Sequence, residues 1–464
     1  MAKKLTPAEK WAKMLKILET EKALANKADV PCSVGVLEDF GISGRENYFI
    51  TGILGIDANT NGYKKGTFNV LYGEESSGKS TIALESIAAF QQVNPEAIIL
   101  YIDTEQTVDD AFLDRIPGIK KDKIIFIKDV GMERIFDKID EYTKEGVVDF
   151  IVIDSIDSMV PMKEEEKSLE DNVMMARANI LSRGLAKINP SIYQNGIIVL
   201  MIQQKRINFN GMIAKTNGRS GGNAAKFYPA TVNLLTKQTS LNDAKDDIQG
   251  TKVVNQFCKI RNEKSKISEP YRETATFLNT DRTIKAGVSK MRELLHYAIL
   301  FNVIESSGAW CSYTDLDTGE IIKVNGKNKM MQELAKNINL FSNLKFQIYG
   351  KILPPELLIS KFDEIKTLLE KENEIMKKNK INILIVQGKS ELITEEDTKV
   401  FTLKDKEILD IISKEEYDLG IFNLKSDEEK KQFLDEKKQE EEKNQQKQSL
   451  DDLNIEIVKQ DNEE

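Results

Sequence analysis

This chain of 464 residues contains a single histidine, His296. Triads built on histidine and metal sites built from several histidines are thereby all but excluded. His296 itself sits in MRELLHYAIL, an apolar pattern at helical spacing, where a packed structural residue is expected. Cysteine is scarce too. Cys32, Cys258 and Cys311 are odd in number and far apart. They offer no disulfide framework and no CxxC metal site, and they suit a reducing cytoplasm. No apolar run reaches the length of a membrane span. The N-terminus, MAKKLTPAEKWAKML, starts basic but has no uninterrupted apolar core and no small-residue cleavage site. No signal peptide is expected, and the expected location is the cytoplasm, with no membrane partner. An excess of positive charge is also lacking. The net charge of −9 argues against generic nucleic-acid binding on composition alone. Its distribution is more informative: residues 425–464 hold 14 acidic and 8 basic side chains, a net of −6, so the first 424 residues carry only −3.

What is present is organised around residues 71–81, LYGEESSGKST. Gly73, four residues, then Gly78-Lys79-Ser80 is the P-loop pattern. A phosphate chain needs several backbone N–H donors converging on it, and a glycine-rich turn lets the backbone come that close. The following helix points its N-terminal N–H groups at the same anion. Gly73, Glu74, Glu75, Ser76, Ser77, Gly78, Lys79, Ser80 and Thr81 are therefore the candidate cradle for ATP. Lys79 reaches the β and γ phosphates and the Ser80 hydroxyl ligates Mg²⁺. The context agrees, since residues 67–72 alternate as a strand and residues 80–91 are apolar at helical spacing.

Strand and helix alternate from there. Residues 97–102, 124–127, 150–153 and 197–202 are continuous apolar strands, and residues 135–142 read as a helix. Such strands separated by helices predict an α/β fold with a mostly parallel sheet covered on both faces. Ligands in these sheets sit at the carboxyl ends of the strands, where Glu105, Asp154 and Gln204 all fall. Asp154 after four apolar residues is the Walker B arrangement, a carboxylate supporting Mg²⁺. Glu105 is a candidate general base for water, and Gln204 a candidate sensor of the γ phosphate.

After Gln204 the chain reads KRINFNGMIAKTNGRSGGNAAKFYP, basic and free of acidic residues, with no clear period before Gly222. A loop of this kind suits a nucleic-acid backbone, with Arg206, Lys215 and Arg219 for phosphates and Phe209 for stacking. A second candidate loop spans residues 162–175, acidic at first, so any DNA contact there falls to its later part and Arg177. Elsewhere, residues 6–26 read as an amphipathic helix, followed by a short strand at 29–36. Residues 255–266 and 274–278 read as strands, 287–301 as a helix, and 302–313 as a turn and strand. A helical, Lys-rich stretch begins beyond 328, and a charged, repetitive tail from about 426 is expected to be disordered.

Taken in order, GEESSGKS (73–80), IDTEQTVDDAF (102–112), IVIDS (151–155), IQQKR (202–206), GGNAAKFY (221–228) and SSGAWCSY (306–313) resemble the RecA family of DNA strand-exchange recombinases. PEAIILYIDTE, the Lys-rich composition and the terminal regions also resemble the phage UvsX branch, which implies a host cytoplasm. The resemblance implies a RecA-type ATPase core at 47–313, an N-terminal polymerisation arm at 1–46, a smaller C-terminal α+β region at 314–425 and an acidic tail at 426–464. It implies ATP and Mg²⁺ as cofactors and DNA-stimulated hydrolysis, with Glu105, Lys79 and Gln204 catalytic. Asp109 and Phe112 match adenine contacts, and Ser80 and Asp154 match the Mg²⁺ ligands. Arg177 belongs to the first DNA loop, and Arg206, Phe209, Lys215, Arg219, Gly221, Gly222 and Asn223 to the second. Lys264 and Lys266, or in another register Lys259 and Arg261, would reach the ATP of a neighbouring subunit. The implied partners are single-stranded DNA, homologous duplex DNA, further copies in a helical filament, and single-strand-binding and mediator proteins. Two other readings are an ATP-gated scaffold that barely turns over and a ring motor. Glu105, Gln204 and the Mg²⁺ ligands speak against the first, and GGNAAKFY with the detached arm against the second.

Overall fold

The computed structural model describes residues 7–27, 47–162, 174–210, 213–218, 227–238, 248–249, 252–253, 255–279, 287–314, 319 and 321–386. Cys32, the 29–36 strand, nearly all of the 162–175 loop, Arg219, Gly221, Gly222, Asn223 and the 426–464 tail lie outside these residues. The chain divides into two compact units, 1–48 and 49–464. The first contains helix α1 (Pro7–Lys27), on which Met14, Leu15, Ile17 and Leu24 are exposed.

The second unit is built on a nine-stranded sheet. Its strands are β1 (Thr67–Gly73), β2 (Ile99–Asp103), β3 (Ile124–Ile127), β4 (Phe150–Asp154), β5 (Ile198–Gln204), β6 (Thr231–Gln238), β7 (Asn255–Ser265), β8 (Glu273–Asn279) and β9 (Gly287–Val288). They lie in the order β9-β8-β7-β6-β1-β5-β4-β2-β3. Neighbours from β6 to β3 run parallel, whereas β6, β7, β8 and β9 pair antiparallel. The continuous apolar strands follow from burial on both faces. Alternate residues Phe68, Val70, Tyr72, Ile151, Ile153, Val199 and Met201 pack in one core against Phe136 and Ile139 of α5 and Leu181, Leu185 and Ile188 of α6. Here α2 is Leu54–Thr60, α3 Lys79–Val93, α4 Asp110–Asp114, α5 Met132–Lys144 and α6 Met174–Gln194. On the other face Phe90 of α3 meets Phe49 and Phe150 edge-on, with ring centroids 5.0 and 5.4 Å apart. These contacts set the P-loop helix against the middle of the sheet.

Two expectations change. Residues 287–301 are not helical throughout: β9 comes first and α7 (Lys290–Leu300) follows. Gly287 has φ +113, outside the helical region, and the Val288 N–H donates to Glu85 Oε1, so the helix begins only after Ser289, its N-cap position. The basic loop after Gln204 carries a hairpin, Arg206–Asn210 against Ile213–Gly218. Its signal in the sequence was the Gly-X pair at 211–212, residue types that two-residue hairpin connections favour.

Three strands follow α7: β10 (Glu305–Ser307), β11 (Trp310–Thr314) and β12 (Ile321–Asn325), so a sheet runs across position 313. Helices α8 (Lys327–Lys336), α9 (Ile338–Ile352), α10 (Pro355–Ser360) and α11 (Phe362–Val386) complete the unit, with α9 packed on α7 and α11 on α3. His296 is packed as expected, its ring 5.5 Å from Phe277 and 5.1 Å from Tyr297. No described helix is long and apolar enough to cross a membrane.

Candidate nucleotide site

The carboxyl ends of β1, β2, β4 and β5 open on one cleft, lined by Glu75, Ser76, Gly78, Lys79, Ser80, Thr81, Glu105, Asp154, Ile202 and Gln204. The glycine positions are dictated by packing. A Cβ on Gly73 would meet the Leu235 carbonyl oxygen of β6 at 2.3 Å, and one on Gly78 would meet Leu278 Cδ1 at 2.0 Å. Gly78 also has φ +89 as the N-cap of α3, a conformation that favours glycine. The loop therefore lies closer to its neighbouring strands than any side chain permits.

Lys79 is buried, and its ammonium donates to the carbonyls of Gly73 (3.2 Å) and Glu74 (2.7 Å). Burial pulls its pKa below the ordinary lysine value, while Asp154, Glu105, Asp157 and Glu75 act in the opposite direction. Asp154 is buried at the tip of β4 and accepts from the Tyr101 hydroxyl at 2.8 Å. Burial raises its carboxyl above the usual range; hydrogen bonds from Ser80 and Tyr101 oppose that shift. The same burial, reinforced by Asp154, holds the Tyr101 phenol far above its ordinary value, so it remains a donor.

Glu105 is held by three donors. Its Oε1 accepts from Ser155 Oγ at 2.6 Å, Gln204 Nε2 at 3.1 Å and Ser158 Oγ at 3.5 Å. The Gln204 backbone N–H donates to Asp157 Oδ2 at 2.6 Å, and Lys205 N–H to the Gly73 carbonyl at 2.9 Å. Lysine, glutamate and glutamine thus share one cleft, and the Arg206–Asn210 hairpin leaves directly from it. Tyr101, Ser155, Ser158 and Asp157 escaped notice in the sequence. The IVIDSIDSM run was the available signal, since short polar residues at a strand tip beside a P-loop face the same cleft.

The donor set fits a hard cation. The Ser80 hydroxyl and the Asp154 carboxylate, both lining the cleft, offer oxygen donors, few in number, as would suit Mg²⁺, which keeps waters and takes phosphate oxygens. Among the described residues no group of three or more His, Cys, Asp and Glu side chains could hold a metal by itself. The cradle that a Cβ would fill at Gly73 and Gly78 fits an anion approached by backbone N–H groups.

The other expected site residues are distributed as follows. Asp109 caps α4, accepting from Phe112 N–H at 2.7 Å, and Phe112 is half-buried beside it. Arg177 is drawn onto backbone carbonyls, donating to Ile156 at 2.8 Å and to Asp157. Arg206, Phe209 and Lys215 lie in the hairpin strands. Lys259 and Arg261 face Glu273 across the β7–β8 pair, at 2.5 and 3.8 Å. Lys264 and Lys266 both donate to the Phe227 carbonyl at 3.0 Å. Strand register places those two lysines at the end of the sheet away from their own P-loop: Thr231 pairs with Ser265 and Asn69, whereas Leu235 pairs with Gly73. Phe227 and Tyr271, both 68% exposed, lie at that end as well.

A sequence model of the RecA N-terminal domain matches residues 41–285, more than half of the chain. The RecA protein of Petrotoga mobilis is 29% identical over 313 residues, 67% of this chain and 81% of that one. That of Mycoplasma mobile is 31% identical over 306 residues, covering 66% of this chain and 87% of its relative. That of Mycoplasmopsis pulmonis is 28% identical over 340 residues, covering 73% and 93%. The matched stretch spans the P-loop, β4, β5 and the basic hairpin described above, so the likeness extends through the cleft as well as the scaffold, and this chain belongs to the RecA family.

Proposed function

We propose that this chain is an ATP-dependent recombinase that assembles as a helical filament on single-stranded DNA, pairs it with homologous duplex and exchanges strands. The observation that supports this most is the path from the cleft to the hairpin. Glu105 is bonded to the Gln204 side chain, and two residues later the chain enters the basic hairpin. A γ phosphate that draws Gln204 toward it alters the bond to Glu105 and the start of the DNA-facing segment together. In this reading Lys79 leaves the loop carbonyls for the β and γ phosphates. Glu105 accepts a proton from the attacking water, whose oxygen bonds to the γ phosphorus as the bond to the ADP oxygen breaks. Mg²⁺, held through Ser80 and Asp154, supplies charge neutralisation at the phosphates. Asp109 and Phe112 take the adenine.

Each ATP lies between subunits in this proposal. Lys264 and Lys266 cannot serve their own P-loop from the opposite end of the sheet, and the exposed aromatics Phe227 and Tyr271 beside them suit a contact with another copy. The exposed apolar residues of α1 give a second such contact. Single-stranded DNA is gripped by backbone charge and by stacking worth about 1–3 kcal/mol per base, without sequence preference, and base pairing selects the duplex.

The test is ATP hydrolysis with and without single-stranded DNA, beside a Glu105→Gln variant. Strong stimulation by DNA that disappears in the variant is expected. Hydrolysis indifferent to DNA would point to a ring motor, and no hydrolysis at all to a scaffold.

A further inference from the structure

A loop that offers its N–H groups to a phosphate leaves carbonyls that need partners of their own. Three consecutive carbonyls, of Glu75, Ser76 and Ser77, are met by three side chains from β6 and β7. Lys237 Nζ lies 3.5 Å from the Glu75 oxygen. Gln256 Nε2 donates to the Ser76 oxygen at 3.2 Å. The Cys258 thiol donates to the Ser77 oxygen at 3.2 Å. Lys237 and Cys258 are cross-strand partners, and Gln256 is two residues from Cys258 on the same face, its Nε2 3.4 Å from the sulfur. One patch of sheet thus meets the back of the loop residue by residue. The middle carbonyl belongs to Ser76, which has φ 58, a left-handed conformation that a non-glycine residue keeps only when its surroundings hold it.

We infer that Gln256 and Cys258 are positioning residues for the nucleotide: by holding the Ser76 and Ser77 carbonyls they aim the N–H groups of the P-loop at the phosphates. The role deepens the ATP reading above and rests on it. A thiol suits the place at Ser77. The position is buried, the partner is a neutral carbonyl, and burial pushes the Cys258 thiol up to about 11, so the proton it donates stays on sulfur at neutral pH. Cys258 is free and buried, and its thiol donates to the loop carbonyl of Ser77. Neither residue touches the cleft, since neither is among its lining residues.

The test uses the full chain with Gln256→Leu, Cys258→Ala and Cys258→Ser. The first two each remove a donor, and the third keeps one. Affinity for a fluorescent ADP analogue with Mg²⁺ is expected to fall about threefold to tenfold in Gln256→Leu and in Cys258→Ala, the effect of one hydrogen bond. Cys258→Ser should bind within twofold of the parent. The KM for ATP should rise by the same factor with kcat held. Nucleotide-free protein gives a separate readout: the Ser76 and Ser77 amides should be rigid in the parent and in Cys258→Ser, and mobile on the ps–ns timescale in the other two. Unchanged amide dynamics, or a serine variant as impaired as alanine, would overturn the inference. Lys79→Ala tests the nucleotide reading on its own. If ADP binding is indifferent to Lys79 that reading fails, and the amide measurement still decides whether the carbonyls are held.

Discussion

Asp57 gives the sharpest test of how this fold is held together. It lies in α2, fully buried, and accepts four hydrogen bonds: from Thr51 N–H at 2.9 Å, Thr51 Oγ1 at 2.8 Å, Gly52 N–H at 3.0 Å and the Tyr349 hydroxyl at 3.0 Å. Even so, burial dominates and raises its carboxyl from 3.8 to about 7. Glu85 and Glu293 are likewise raised by burial, and Lys290 and Lys345 oppose the trend. Because the folded-state value of Asp57 lies above the unfolded one, the folded protein binds more protons between those values. Stability must fall as pH rises through that window and level off above it. At 1.36 kcal/mol per pKa unit, the cost at this residue grows by about 2–3 kcal/mol between pH 5 and pH 8. The perturbation is Asp57→Asn, which removes the titration and roughly preserves the shape. Urea unfolding of both chains followed by circular dichroism across that range gives the difference in slope. The asparagine variant loses its own acceptor bonds at every pH, so its absolute stability is not the readout; only the change in the difference with pH is. A difference constant to within about 0.5 kcal/mol would refute the reasoning, since a carboxylate ionised throughout the range has no such slope.

Three further outcomes follow from the same geometry. Lys345 is buried and holds both oxygens of Glu372, at 2.7 and 2.6 Å, as well as the Gly52 carbonyl at 2.9 Å. Lys345→Met should cost about 3–5 kcal/mol by stripping a buried carboxylate of its nearest partner and leaving it only Lys290 at 3.5 Å, and adding Glu372→Leu should recover most of it; urea midpoints of the single and double variants check this. Gly78→Ala should abolish nucleotide binding, because its Cβ strikes Leu278 and φ +89 is lost to it, and Leu278→Ala should restore only part, which nucleotide titration measures. Tyr101→Phe should weaken Mg²⁺-dependent nucleotide binding about tenfold or more, the effect of removing a hydrogen bond of about 1.5–3 kcal/mol to a charged group, while Mg²⁺-free binding changes less.

Much was legible along the chain because it is encoded locally. The P-loop, the Walker B strand and the apolar runs IIFI, FIVI and IIVLMI each carry their own period or spacing, and helix and strand obey those periods whatever lies nearby. β3 spans the expected residues, and β4 and β7 each differ by one residue at one end. That Glu105, Asp154 and Gln204 share one cleft was also legible, since a strand end in a parallel sheet is a predictable place. What was not legible depends on partners distant in sequence. Nothing along the chain marks Glu85, Lys290, Lys345 and Glu372, yet they meet inside the protein, Lys290 3.6 Å from Glu85 and 3.5 Å from Glu372. Only packing of α9 and α11 against α7 and α3 makes them a buried network. The choice between two pairs of basic residues was open for the same reason. Lys259, Arg261, Lys264 and Lys266 look alike in a row, and strand register alone sets the first two against Glu273 and carries the others to the far end of the sheet. The sequence by itself determined the local elements, their order and the chemistry available at each strand tip. Tertiary structure decided which charges are buried, which carbonyls are held and at which end of the sheet each lysine lies. Those outcomes depend on contacts such as Lys345 to Gly52, 293 residues apart, and no local period encodes them.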